Sequence, residues 1–367
     1  MNYIFFGNII IVILYIGLTS STPSLKEVQD LDGVFLRVYT IKPTVSPWLN
    51  NSVPRSVVPS LYLNLTEKEY LQTKDSRYQG EKDGSTYYVE DIPIKQKFDV
   101  SKIPYFSMKA PTAVYIHGYI ETSSSLSVRT VVDAYLQRGD HNIIVVDWGV
   151  LANKPAVQAA IYTNNVGQAL AMMIDGLVSS GYDASLLHLI GHSMGAHVAG
   201  FVGNYFKGGR IRRITALDPV GVGFYATKER ALHLDKSDAD FLDVIHTDAN
   251  HYGIGIPIGH VDSYANGGTR IQPGCPKPEG FLTPSDLCSH WLSWRLYSES
   301  LVNTDENTFL IGMQCQSWSD FLYKNCVYGP KMHQTIRVGY NTPLTGRGMY
   351  FFKTNSTPKY GKGMNGI

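Results

Sequence analysis

One serine in this chain stands in surroundings that would make it a nucleophile. The run Leu186-Leu187-His188-Leu189-Ile190-Gly191-His192-Ser193-Met194-Gly195-Ala196-His197-Val198-Ala199-Gly200 places G-x-S-x-G between an apolar, strand-like segment and an Ala-rich, helix-like one. Both glycines have a physical reason: a sharp strand-to-helix turn brings its two arms too close for a Cβ. Ser193 then projects at a helix N-terminus, where backbone N–H groups and the helix dipole favour a developing oxyanion. That pattern suits attack on a carbonyl and formation of an acyl-enzyme.

A serine hydroxyl needs a base, and the base needs an acid to fix its tautomer. In chains with this turn the partners follow in the order serine, acid, histidine. Asp218, in Ala216-Leu217-Asp218-Pro219, closes the next apolar run, with Asp248 and Asp262 as competitors. His246, His251, His260, His290 and His333 follow the acids. Among them His290 comes directly after Cys288-Ser289 and just before a helical stretch, Trp291 to Leu301, so a disulfide and a helix would hold it; His246 and His260 stay open as alternatives. His117-Gly118-Tyr119, after the run Ala113 to Ile116, suits a second oxyanion donor. Its N–H would come from Tyr119 and act with that of Met194.

The elements that must carry these residues repeat one pattern. Short β-branched runs, Ala113 to Ile116, Ile143 to Val146, Leu186 to Ile190, Ile214 to Leu217 and Leu242 to Ile245, alternate with helical stretches such as Asn164 to Gly176 and Ala196 to Phe206. Continuous apolar runs of four or five residues suit strands buried on both faces, hence a mostly parallel sheet covered by helices in an α/β fold. Val34 to Ile41, Ser60 to Leu65, Thr335 to Tyr340 and Met349 to Thr354 read as additional strands, and Glu67 to Ser85 as a polar surface excursion.

The 367 residues include 32 Lys and Arg against 31 Asp and Glu, a formal charge of +1, which excludes the basic footprint of a nucleic-acid binder. Ile4 to Leu18 is apolar apart from Gly7 and Asn8 and ends in small polar residues, so residues 1–21 read as a signal peptide of a secreted protein, with an uncleaved anchor helix as the alternative. Residues 22–367 then form one domain. Sequons at Asn50, Asn64 and Asn355 agree with export as candidate glycosylation sites. Four cysteines, Cys275, Cys288, Cys315 and Cys326, are expected to form two disulfides, and sequential pairing is one of three arrangements.

Together these segments resemble the pancreatic lipase family of secreted lipases and phospholipases A1, in the form lacking a C-terminal lipid-binding β-sandwich. The matching stretches are Tyr115 to Tyr119, Val145 to Gly149, Gly191 to Gly200, Leu217 to Pro219, Asp243 to Asp248, Gly267 to Cys275 and Cys288 to His290. The resemblance implies an α/β-hydrolase fold with antiparallel edge strands, a Ser193, Asp218, His290 triad, and Tyr119 and Met194 as oxyanion-hole backbones. It also implies a Cys275 to Cys288 disulfide bracketing a lid, residues 276–287. That lid is short: doubled back, it reaches roughly 20 Å at ~3.4 Å per residue. Thr283-Pro284 is expected to start a short helix in it.

Short lids in this family go with phospholipid or mixed-lipid substrates, so the expected partner is a lipid at a membrane, micelle or emulsion interface, met through apolar residues such as Phe281 and Leu282. Triacylglycerol and galactolipid remain open, as do two other roles: a catalytically silent lipid-binding protein and an esterase for soluble esters. No cofactor is required. Asp235 and Asp238 resemble a structural calcium segment in some relatives, against which stands an acidic turn with a helix cap.

Overall fold

The computed structural model describes residues 31–42, 87–96, 98–225, 233–326 and 334–367, and the backbone of two strands near the N-terminus. Those two, β1 (Asn2–Phe6) and β2 (Ile9–Ile13), pair antiparallel as a separate ribbon. The rest of the expected leader, the sequons Asn50 and Asn64, the segments 60–65 and 67–85, and His333 lie outside the described residues.

Among the described residues eleven strands build one sheet. In chain order they are β3 (Phe35–Ile41), β4 (Tyr87–Pro93), β5 (Thr112–Ile116), β6 (Asn142–Asp147), β7 (Leu187–His192), β8 (Ile211–Leu217), β9 (Ala239–His246), β10 (Val261–Ala265), β11 (Ile311–Gln314), β12 (Thr335–Arg337) and β13 (Gly348–Phe352). Across the sheet the order is β12-β11-β13-β10-β9-β8-β7-β5-β6-β3-β4. The seven strands from β13 to β6 run parallel; β3 with β4 at one edge and β11 with β12 at the other are antiparallel.

Strand residues alternate between two cores, which is why their apolar runs are unbroken. Val114 and Ile116 of β5 and Ile144 and Val146 of β6 join one core with Val166 and Leu170 of α3 (Ala156–Ser179) and Ala199 and Val202 of α4 (Met194–Tyr205). Ala113, Tyr115, Ile143 and Val145 face the other way, against Val128 and Val131 of α1 (Leu126–Arg138) and Leu292 and Leu296 of α5 (Pro284–Val302). Two short helices, α2 (Gly149–Ala152) and α6 (Trp318–Leu322), complete the set among the described residues. Helices on both faces of a parallel sheet, with a strand-turn-helix nucleophile position at its centre, define the α/β-hydrolase fold.

The expected strands that fall on described residues are present, most of them longer by one to four residues, although the last two stop at Arg337 and Phe352. Two helical elements differ from expectation. The α3 helix extends a full turn or more beyond Asn164 to Gly176 at its N-terminal end. Helix α5 begins at Pro284, with Thr283 as its N-cap accepting from the Asp286 N–H, and runs without a break to Val302. The expected short lid helix and the expected helix after His290 are thus one element, and His290 sits inside it.

The cysteines pair sequentially, Cys275 with Cys288 and Cys315 with Cys326. Closing a 13-residue loop restricts the unfolded chain by roughly 3 kcal/mol in the chain-entropy account. Thermal unfolding of a Cys275→Ala/Cys288→Ala double variant checks this, with a stability loss of about that size expected.

Candidate active site

Strand β7 ends at His192 and α4 begins at Met194, so Ser193 alone makes the turn, at φ 55° and ψ −120°. A positive φ at a non-glycine residue costs on the order of 1–3 kcal/mol, so the surroundings must enforce it. They do: a Cβ on Gly191 would lie 2.4 Å from the Gly195 carbonyl oxygen, and one on Gly195 would lie 2.2 Å from that of Ile116. The Ser193 N–H donates to Leu217 O at 3.0 Å, which ties the turn to the end of β8.

Asp218 is the next residue after that carbonyl. It is fully buried, and its Oδ1 accepts the backbone N–H groups of Thr247 at 2.8 Å and Asp248 at 3.0 Å. Its Oδ2 lies 2.6 Å from His290 Nδ1. A carboxylate there holds the proton on Nδ1 and leaves Nε2 as the basic nitrogen. Burial opposes protonation of His290, but the hydrogen bond and charge of Asp218, with Asp248 and Glu121 adding, outweigh it and raise its pKa above the ordinary histidine value. The loop carrying Gly253 lies against the carboxylate so closely that a Cβ there would be 2.6 Å from Oδ1.

The competing residues have other surroundings, although Asp248 keeps a carboxylate oxygen within 4.8 Å of Asp218 and His290. Asp262 accepts from His246 Nε2 at 2.9 Å and from the N–H groups of Ile258 and Gly259. His260 Nδ1 accepts the Leu242 N–H, and His251 is exposed. Asp248 is gripped bidentately by Arg270, at 2.6 and 2.7 Å.

The loop after β5 is held by two buried carboxylates that composition and spacing did not single out. Glu121 accepts the Gly118 N–H at 2.6 Å and the Ser127 hydroxyl at 2.5 Å, and lies 3.1 Å from His192 Nδ1. Asp147 accepts the N–H groups of Ser123 and Gly149. His117 stacks on Trp148, whose indole N–H donates to the His117 carbonyl, and its Nε2 lies 3.5 Å from Asp147 Oδ1. Tyr119 follows directly on Gly118 in this braced loop, and Met194 opens α4, among the helix amides that have no intrahelical acceptor.

Burial works against charge on both carboxylates. Yet His192, by charge and hydrogen bond, holds Glu121 down to about 2, and His117 with the amide donors holds Asp147 well below the usual carboxylate range. Groups depressed on folding contribute stability above their unfolded pKa, about 4, and lose it as pH falls toward the folded value. The melting temperature is therefore expected to drop between about pH 4.5 and pH 2, with a shallower slope in Glu121→Gln; a series of thermal melts over that range checks it.

The loop 276–287, expected as a lid, folds back on the helix that carries His290. Arg270 also donates to Asp286 Oδ1 at 2.9 Å and to the Asp286 carbonyl at 2.8 Å, while Asp286 Oδ2 accepts from Tyr252 and from the Leu282 N–H. The Tyr252 ring stands 5.6 Å from His290 and 6.3 Å from Phe281, which is 62% exposed. Ile120, Val150, Val222, Ile256 and Ile271 are also exposed, each on a segment that follows the C-terminal end of a parallel strand.

Away from this site, Asp235 and Asp238 form a capping box. The Asp235 carboxylate accepts from Ser237 N–H and Asp238 from Asp235 N–H, and burial pushes the Asp238 carboxyl up to about 7. Asn355 is exposed, and its amide donates to the carbonyls of Lys359 and Gly361. Among the described residues no helix is long and apolar enough to cross a membrane.

Residues 71–360 match the family described as Lipase, and the chain belongs to that family. It is similar to lipase member H-B of Xenopus laevis, 38% identical over 227 residues, 60% of this chain and 47% of the relative. It is 33% identical to phospholipase A1 member A of Bos taurus over 237 residues, 64% and 51% of the two chains. It is also 38% identical to the inactive pancreatic lipase-related protein 1 of Mus musculus over 239 residues, 60% and 49%. The chain spans about half the length of these relatives.

Proposed function

We propose that this protein is a secreted hydrolase of lipid carboxylic esters that works through Ser193, His290 and Asp218. The observation that carries the reading is the 2.6 Å contact between His290 Nδ1 and Asp218 Oδ2, one residue on from the carbonyl that anchors the Ser193 turn. His290 Nε2 takes the Ser193 proton as Oγ attacks the acyl carbonyl. The oxyanion sits against the N–H groups of Tyr119 and Met194, the proton passes to the departing alcohol, and water activated by the same histidine frees the fatty acid. Nucleophile, base and acid all belong to the chain, so the reaction requires no cofactor.

Exposed apolar residues around the C-terminal edge of the sheet favour a substrate met at a lipid surface over a soluble ester. The short lid, 12 residues between Cys275 and Cys288, favours phospholipid cleaved at its first acyl position, in agreement with the resemblance to phospholipase A1 member A. The test is product analysis on a phosphatidylcholine with different chains at its two positions, run beside a triacylglycerol emulsion and a soluble ester. Release of the first-position chain is expected, with rates rising as substrate passes into vesicles; release of the second-position chain alone would reject phospholipase A1 activity. Because one relative is described as inactive, labelling of Ser193 by a fluorophosphonate separates a live enzyme from a silent lipid binder.

His290 must be neutral to act as base, and its pKa is raised. The acid limb of kcat/KM is therefore expected above about pH 6.5, the value of an unperturbed histidine. A pH–rate profile on a neutral ester checks this.

A further inference from the structure

We propose that Glu121 is a positioning residue for the oxyanion site, acting as a clamp between its two halves. The inference rests on the reading of Ser193 as nucleophile. A single carboxylate oxygen, Oε2, receives the Gly118 N–H at 2.6 Å and lies 3.1 Å from His192 Nδ1. Gly118 directly precedes Tyr119, and His192 precedes Ser193 and Met194. The two amides assigned to the oxyanion therefore belong to separate loops, after β5 and after β7, joined at one atom.

The surroundings make the clamp stiff. Oε1 is held by the Ser127 hydroxyl from the first turn of α1, at 2.5 Å, and Glu121 itself is buried. The loops are in contact where they meet: a Cβ on Gly118 would stand 3.0 Å from Ser193 Cβ and 3.1 Å from both Glu121 Oε2 and His192 Nδ1. His192 packs its ring 4.7 Å from that of His290, so the same clamp sets one wall of the base. The carboxylate remains ionised at neutral pH, which keeps both N–H bonds charge-assisted. An oxyanion hole works only if its donors are fixed before the charge develops, and a misplacement near 1 Å costs about 10²-fold in rate.

The test uses the full chain carrying Glu121→Ala, Glu121→Gln, His192→Ala and the double variant Glu121→Ala/His192→Ala. Live sites are counted by fluorophosphonate titration, and kcat and KM are measured on a soluble ester. Glu121→Ala is expected to lower kcat per titrated site about 10²-fold with KM changed less than about 3-fold. Glu121→Gln keeps an acceptor for the Gly118 N–H and is expected to recover part of that loss. The double variant should lose no more than the worse single one, because both changes open the same clamp. Wild-type kcat per site in Glu121→Ala with only a lower melting temperature would overturn the proposal, as would multiplicative losses in the double variant. If Glu121→Ala fails to fold, Glu121→Gln decides alone: kcat about 10-fold down supports the clamp, and wild-type kcat overturns it. A wild-type chain that neither hydrolyses esters nor takes the label removes the functional reading itself, whereas active wild type with indifferent Glu121 variants removes only the clamp.

Discussion

Ser193→Ala is expected to lower ester turnover by roughly 10⁴- to 10⁶-fold, the range in which removing the nucleophile of a serine hydrolase leaves only binding and oxyanion stabilisation. The change deletes one oxygen and keeps the Cβ, so the turn at φ 55° stays as it is and the fold should be unaffected. Fatty-acid release after purification, with binding of the label as a second measure, checks it; release near the wild-type rate would sink the assignment of the nucleophile. A companion change separates chemistry from strain. Ser193→Gly should be equally inactive, yet more stable than Ser193→Ala by about 1 kcal/mol or more, because glycine adopts the positive φ freely.

Asp218→Asn is expected to cost about 10⁴-fold in kcat, for a reason specific to this site. Oδ1 of Asp218 already accepts two backbone N–H groups, from Thr247 and Asp248. An asparagine must turn its carbonyl oxygen to those donors, which leaves its NH2 facing His290 Nδ1. That nitrogen then has to be the acceptor, the proton moves to Nε2, and the base is blocked. The same substitution at Asp248, whose carboxylate binds Arg270, should leave far more activity. Comparing kcat for Asp218→Asn and Asp248→Asn measures which acid orients the histidine; equal losses, or a larger loss at Asp248, would reassign it.

What could be read in the sequence follows from how each feature is recorded there. Strands buried on both faces leave continuous apolar runs, so β5 to β9 were legible. Strand β10 was not, because Asp262 and Ser263 are buried polar residues that interrupt its pattern. Helix α1 escaped as well: Leu126-Ser127-Val128-Arg129-Thr130-Val131-Val132 has modest helix propensity, and packing against α5 holds it. Ser193, Asp218 and His290 were legible as candidates, because glycines, a strand end and a cysteine stand next to them, but Asp248, Asp262, His246 and His260 stood beside them until the family resemblance was added. Glu121 and Arg270 were not, since a single charged residue in a loop carries no periodicity; only the folded chain shows which carboxylate or amide it meets.

The unbroken course of α5 from Pro284 to Val302 has a mechanical consequence. A helix resists bending, so the second arm of the 276–287 loop and His290 form one lever, anchored at Cys288 by the disulfide and at Asp286 by Arg270. Any ligand that displaced this arm would also drag the imidazole off Asp218. Freedom to move without disturbing the His290–Asp218 contact therefore belongs to the first arm, 276–282.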